Sequence, residues 1–249
     1  LSLERIEVPT KEVEKGAFLR SMKSLATNKP FIWVLTASLL AMLVQYLLTT
    51  VNIYLFKDYF GSTSALSMVG AIQMVAMFVC LPLVKPLVAK FGKKETALIG
   101  MSITTIVYTV LFFLKDLSAM QFVGIVAVGT FSMYLYNFVT WAFITDVTDY
   151  HEYKTSMRED ATVYGIIAMA RKVGLALAGG IGGVAIAAVG YDATLQTQTP
   201  EVLNGIYSLG TLVPAILYGL VVLVLFMYPL NKKKTAQLAE DLAAKRANS

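Results

Sequence analysis

The 249-residue chain is 57% hydrophobic and 15% charged, with a mean hydropathy of +0.65, a balance that a water-soluble core of this size does not show. Its net charge of +5 does not point to nucleic acid, because the lysines and arginines cluster beside apolar runs rather than on one soluble face. The runs are continuous rather than alternating, which disfavours a transmembrane barrel and leaves membrane-spanning helices.

Residues 1–29 alternate in charge, with Phe18, Leu19, Met22 and Leu25 at a spacing that suits an amphipathic helix on the membrane surface or, equally, a solvated linker. Asn28, Lys29 and Pro30 mark the start of a first span, since proline suits the first turn of a helix. Charge-free runs then cover residues 30–56, 61–84, 96–114, 117–145, 173–191 and 202–231. About 20 residues cross a bilayer, so each run accommodates a helix, the fifth extending back through Arg171 and Lys172 to about Ala161. The expected fold is an all-α membrane protein with six transmembrane helices. Its parts are a linker at 1–29, a bundle at 30–230 and a tail helix at 231–249.

The second helix is expected to end near Pro82 and Pro86, before a basic turn, AKFGKKE at 89–95, that fixes geometry. Connection three, at 115–118, is short enough to make helices three and four antiparallel neighbours. Lys and Arg number six in residues 1–29, four in 85–94, two in 146–160 and five after 231. By the positive-inside rule both termini and the even-numbered connections are cytoplasmic. The sole cysteine, Cys80, allows no disulfide within the chain. A chain that opens on Leu1 rather than methionine is expected to be a fragment.

Polar groups inside spans mark candidate sites. In helix four, Tyr134, Asn137 and Trp141 follow i, i+3, i+7 spacing and share a face. A flat ring to stack on a pyranose and an amide to bond its hydroxyls would form the wall of a sugar site; ordinary interhelical hydrogen bonding explains the same residues. Helix one adds Gln45, Tyr46, Thr49, Thr50 and Asn52, and helix two adds Gln73. Lys172 stands eleven residues into an apolar stretch, ~17 Å below the membrane surface at the helical rise. An ionisable group so deep reads as part of a pathway or binding site. Arg171 precedes it, and ~100° around the helix separates the two, so they cannot face the same way. The glycines at 174, 179, 180, 182 and 183 favour close packing of helix five against another helix.

The segment 145–171 carries a dense polar cluster, expected as a loop at 146–160. Asp146, Asp149, His151 and Glu152 could suggest a metal, but His151 is the only histidine, and a metalloprotease helix needs two at i, i+4. No serine elbow, phosphate loop or cysteine nucleophile is visible, so no enzyme, metal site or cofactor is expected. Reversible ion pairs fit better: carboxylates ending helix four can pair with Lys154, Arg158 or Arg171 in one conformation and release them in another.

The pattern D-V-T-D-Y-H-E-Y-K-T-S-M-R-E-D-A-T-V-Y-G, then R-K-V-G and a glycine-rich run ending G-Y, resembles the C-terminal half of the glycoside, pentoside and hexuronide cation symporters. The matching positions are Asp146, Asp149, Tyr150, Glu152, Lys154, Thr155, Arg158, Glu159, Tyr164, Lys172 and Gly174; Asp160, Ala161 and Thr162 depart from the small residues common there. The likeness extends from E-R-I at 4–6 through N-K-P-F at 28–31 to Y-P-L at 228–230. It implies the second six-helix bundle of a twelve-helix major-facilitator transporter in a bacterial cytoplasmic membrane. Its partners would be the lipid bilayer, a small-molecule glycoside and the first bundle. The coupling cation, H+ or Na+, would bind in that first bundle. It further implies that Lys172 faces the central cavity, while Asp146, Asp149, Arg158 and Glu159 form a cytoplasmic gate. Q-T-P-E-V at 198–202 and Y-P-L lean toward carriers of acidic or xylose-containing glycosides. Competing readings are a six-helix protein that pairs with itself, a lysolipid carrier, and a membrane scaffold that has lost transport.

Overall fold

The computed structural model describes residues 23–155 and 160–247. They form α1 (Lys29–Tyr54), extended by a π-helical turn (Leu55–Tyr59), α2 (Thr63–Phe91), α3 (Lys93–Phe113), α4 (Ala119–Thr155), α5 (Asp160–Ala188), α6 (Pro200–Met227) and α7 (Lys232–Ala247). The first six are long and apolar enough to cross a membrane. No strand occurs among the described residues.

Local chemistry sets the helix ends. The Asn28 side chain accepts from the Phe31 N–H at 3.1 Å and Pro30 fills the first turn of α1. Thr199 and Pro200 repeat the arrangement at α6. Each cap satisfies a backbone donor that has no partner within the helix. Gly92, at φ 104°, is the one residue between α2 and α3, and a side chain there would also collide with Glu95 and Lys232. Beyond α5, Asp192 accepts from the Thr194 N–H and hydroxyl at 2.9 and 2.7 Å, bonds that hold its carboxyl below the usual carboxylate range.

Two expectations about boundaries are corrected. α2 does not end near Pro82 and Pro86 but runs through both to Phe91. Proline removes one backbone donor, whereas ending the helix in hydrocarbon would expose several polar groups, so continuing is the cheaper course. Residues 146–155 are not a loop: α4 continues to Thr155. Val147, Thr148 and His151 are buried on one side of this extension, while Asp146 and Glu152 meet cations on another. The segment is an amphipathic helical end, and its charge density only resembled a loop. Residues 156–159, with Arg158 and Glu159, lie outside the described residues, as do 1–22 of the expected linker.

α1 packs against α5 and α6, α3 against α4 and α6, and α2 against α4. The core runs between α1, α3, α4 and α6, leaving α2 and α5 the least buried spans. At one end of the bundle Phe56, Phe60, Phe122, Tyr59 and Tyr207 form an aromatic cluster. The Tyr207 hydroxyl is shared between the Leu111 and Leu114 carbonyls at 2.7 and 2.6 Å, and Tyr59 donates to the Lys115 carbonyl at 2.8 Å. These bonds satisfy acceptors left over where α3 ends.

Lysines perform that service at the opposite end. Lys94 donates to the Phe226 and Tyr228 carbonyls at 2.8 and 2.6 Å, and Lys232 to those of Ala89 and Lys90 at 2.6 and 3.0 Å. A cation at a helix C-terminus also offsets the negative end of the helix dipole. α7 lies on α4 through buried Leu238 and Leu242. It is also tied there by Arg246, which grips Glu152 with two bonds of 2.7 and 2.5 Å.

Candidate functional site: a polar cavity beside α4

The polar residues of α4 divide between two faces. Tyr136 and Thr140 turn inward and are buried, the Thr140 hydroxyl bonding back to the Tyr136 carbonyl at 2.9 Å. Tyr134, Asn137 and Trp141 line a cavity of about 200 Å³ together with Gln45 of α1, Met77 of α2, Phe138 and Arg171 of α5. Four elements therefore contribute to one concavity.

Arg171 is held in place by aromatic rings. Its guanidinium lies 5.3 Å from the Trp141 ring centroid, and Trp141 stacks near-parallel on Tyr164, 6.4 Å away at 18°. Tyr164 and Arg171 are seven residues apart, two turns along one face of α5, so both reach the same indole. Cation–π contact is worth about 0.5–2 kcal/mol depending on desolvation. A smaller recess adjoins the cavity, sharing Asn137 and Arg171 and reaching Ser38 and Thr140.

Lys172 is exposed on this bundle and is not among the residues lining either recess. Arg171, expected with the gate, stands instead among the cavity residues. A second polar pocket extends into the bundle from Gln45. Thr49 and Asn52 continue the Gln45 face of α1, and Gln73, Thr104 and Thr130 close it. Gln45 belongs to both spaces.

The carboxylates at the end of α4 lie elsewhere. Asp146, buried, pairs with Lys93 at 2.5 Å, and the same ammonium donates to the Ala142 carbonyl at 3.1 Å. Glu152 pairs with Arg246, and Asp149 is half-buried between them along α4. Sequence reasoning missed Lys93 and Arg246, assigning both only to topology. The paired lysines after Gly92 were a signal, but one without a visible partner. Among the described residues no group of three or more His, Cys, Asp or Glu gathers as a metal site would require.

In chemical terms the cavity offers flat aromatic faces, amides that donate and accept, and one guanidinium. That set suits a polyhydroxylated solute. A hydrophobic or lipid-like guest would leave the amides unsatisfied.

Residues 2–232 match the family described as MFS/sugar transport protein. The chain is 28% identical over 243 residues to an uncharacterized symporter of Bacillus subtilis (strain 168), covering 97% of this chain and 52% of the relative. It is 27% identical over 223 residues to a glucuronide carrier protein homolog of Escherichia coli (strain K12), covering 89% and 49%. To a putative sulfoquinovose importer of Salmonella typhimurium (strain LT2) it is 27% identical over 244 residues, covering 98% and 51%. The chain spans about half the length of the curated relatives it matches. Six helices long and apolar enough to span a membrane and a family match over nearly the whole chain together make this an integral membrane protein and a member of the MFS/sugar transport protein family.

Proposed function

We propose that this bundle, joined to a first six-helix bundle, forms a secondary transporter that couples uptake of a sugar or glycoside to an H+ or Na+ gradient by alternating access. The observation that carries the reading is the cavity of Gln45, Tyr134, Asn137, Trp141 and Arg171, which gathers sugar-binding chemistry from α1, α4 and α5. Polar lining at membrane depth is costly unless a solute or water uses it. Relatives that carry sugars by name support the substrate class. The coupling cation is assigned to the first bundle, where the family resemblance puts it. Lys172, exposed on this bundle, is assigned to the surface that meets that bundle or the substrate.

The basic turn and tail support a membrane orientation in which both termini and the α4 end are cytoplasmic, by the positive-inside rule. Asp146, Asp149 and Glu152 then belong to the inner gate. The charged end of α4 and its partners Lys93 and Arg246 are the groups that change neighbours as the bundles rock.

The test is uptake by proteoliposomes of the full-length transporter, offered labelled glucuronides, xylosides and galactosides under imposed sodium or proton gradients. Accumulation of one glycoside only under a cation gradient, lost in Lys172→Ala, is the expected result. Movement of lysolipid in place of any sugar, or uptake indifferent to both gradients, would overturn the reading.

A further inference from the structure

Arg171 is the only formally charged side chain lining the cavity or the recess that adjoins it, among the described residues. Among the described residues no carboxylate pairs with it there, and its ring contact is the face of Trp141. An indole face stabilises the positive charge but accepts none of the five guanidinium N–H donors, which lie in the plane of the group. The cavity neighbours Gln45, Asn137 and Tyr134 supply no negative charge either. A cation in a membrane-spanning helix is costly unless it meets an opposite charge or water. Here the group lies against Trp141, which is stacked in turn on Tyr164, and it lines the space a solute would fill.

We infer that Arg171 is the residue that reads an oxyanion, a carboxylate or sulfonate, carried on the transported sugar. The fork of N–H groups matches two oxygens of such an anion at once. Asn137, shared by the cavity and its recess, stands beside that fork to bond a neighbouring hydroxyl. Trp141 is a positioning residue: it orients the guanidinium and takes no charge itself. This inference rests on the sugar-transport reading above and adds to it the group that selects among sugars.

The competing occupant is an acid of the first bundle, which would make Arg171 a structural ion pair. The two are separated by uptake into proteoliposomes of the full-length transporter, using matched pairs of neutral and uronic methyl glycosides from the glucose and galactose series. The readout is the uronic-to-neutral uptake ratio, which is insensitive to the amount of active protein. Wild type should favour the uronic member of a pair. In Arg171→Gln the ratio should fall about tenfold or more, the scale of a lost hydrogen-bonded charge. Arg171→Lys, which keeps the charge but not the fork, should fall between the two. It carries the test if the glutamine variant does not insert. A ratio unchanged in both variants, with uptake of both sugars falling together, would show a structural role and overturn the inference. A wild type that favours the neutral member overturns it as well while leaving sugar transport standing. A wild type that takes up no sugar under either gradient removes both.

Discussion

A Cβ added at Gly182 would lie 2.7 Å from the Cβ of Thr50 and as close to its hydroxyl, whereas one at Gly180 or Gly183 meets nothing within 4 Å. Among the described glycines of α5, Gly182 is the one where α1 comes that close. Overpacking of this kind costs about 1–3 kcal/mol, or roughly 2–10 °C in melting temperature for a chain of this length. Gly182→Ala should therefore melt several degrees lower in detergent, and Gly183→Ala no lower than wild type, because alanine is the better helix former. Equal losses at the two positions would rule out the close approach. The sequence showed a glycine-rich packing face but not which glycine made the contact, since that depends on how α5 is rotated. Arg171 and Lys172 pose the same problem. Adjacent residues point about 100° apart, and composition cannot say which of them a cavity will receive. Tyr134, Asn137 and Trp141 were legible as a set because their spacing alone puts them on one face.

Along the elements, the bond between Lys93 and Asp146 joins the start of α3 to the cytoplasm-assigned end of α4, with the Asp146 side chain only 8% exposed. Removing one member of such a pair leaves a buried charge without its partner, a loss of about 3–5 kcal/mol. Lys93→Met should lower the melting temperature clearly, and adding Asp146→Asn should recover part of the loss. Simple additivity in this double-mutant cycle would show that the two groups act independently. Neither partner could be inferred from the other in the sequence, being 53 positions apart. The extension of α4 was misread for a related reason. Its charges find cations on α3 and α7, and without knowledge of those partners a run of acids looks like a solvated loop. Pro82 and Pro86 misled by a soluble-protein rule, because in a bilayer a helix has nowhere to deposit its unpaired backbone groups.

For the whole molecule, the proposed orientation puts the connection between α5 and α6 outside and the tail inside. Cys80 is buried, so this bundle itself gives little background to thiol labelling. In the full-length transporter, Thr197→Cys should react with a membrane-impermeant maleimide on intact cells, and Lys233→Cys only after permeabilisation. The reverse pattern would invert the orientation. The six-helix architecture was readable from run lengths, because bilayer thickness imposes them on any chain that crosses it. The pairing of those helices was not, since lipid-facing and protein-facing sides are equally apolar. α4 has 37 residues, ~55 Å of helix at 1.5 Å per residue, against a hydrocarbon core of about 30 Å. The surplus of roughly 25 Å makes α4 a lever arm. A rigid-body rotation of about 15° about the bilayer midplane would sweep its far tip through roughly 10 Å, while groups near the pivot scarcely move. Arg246 rides on that tip with Glu152, so the tail would travel with the lever, carrying a small tilt at the cavity out to the aqueous surface as a large displacement.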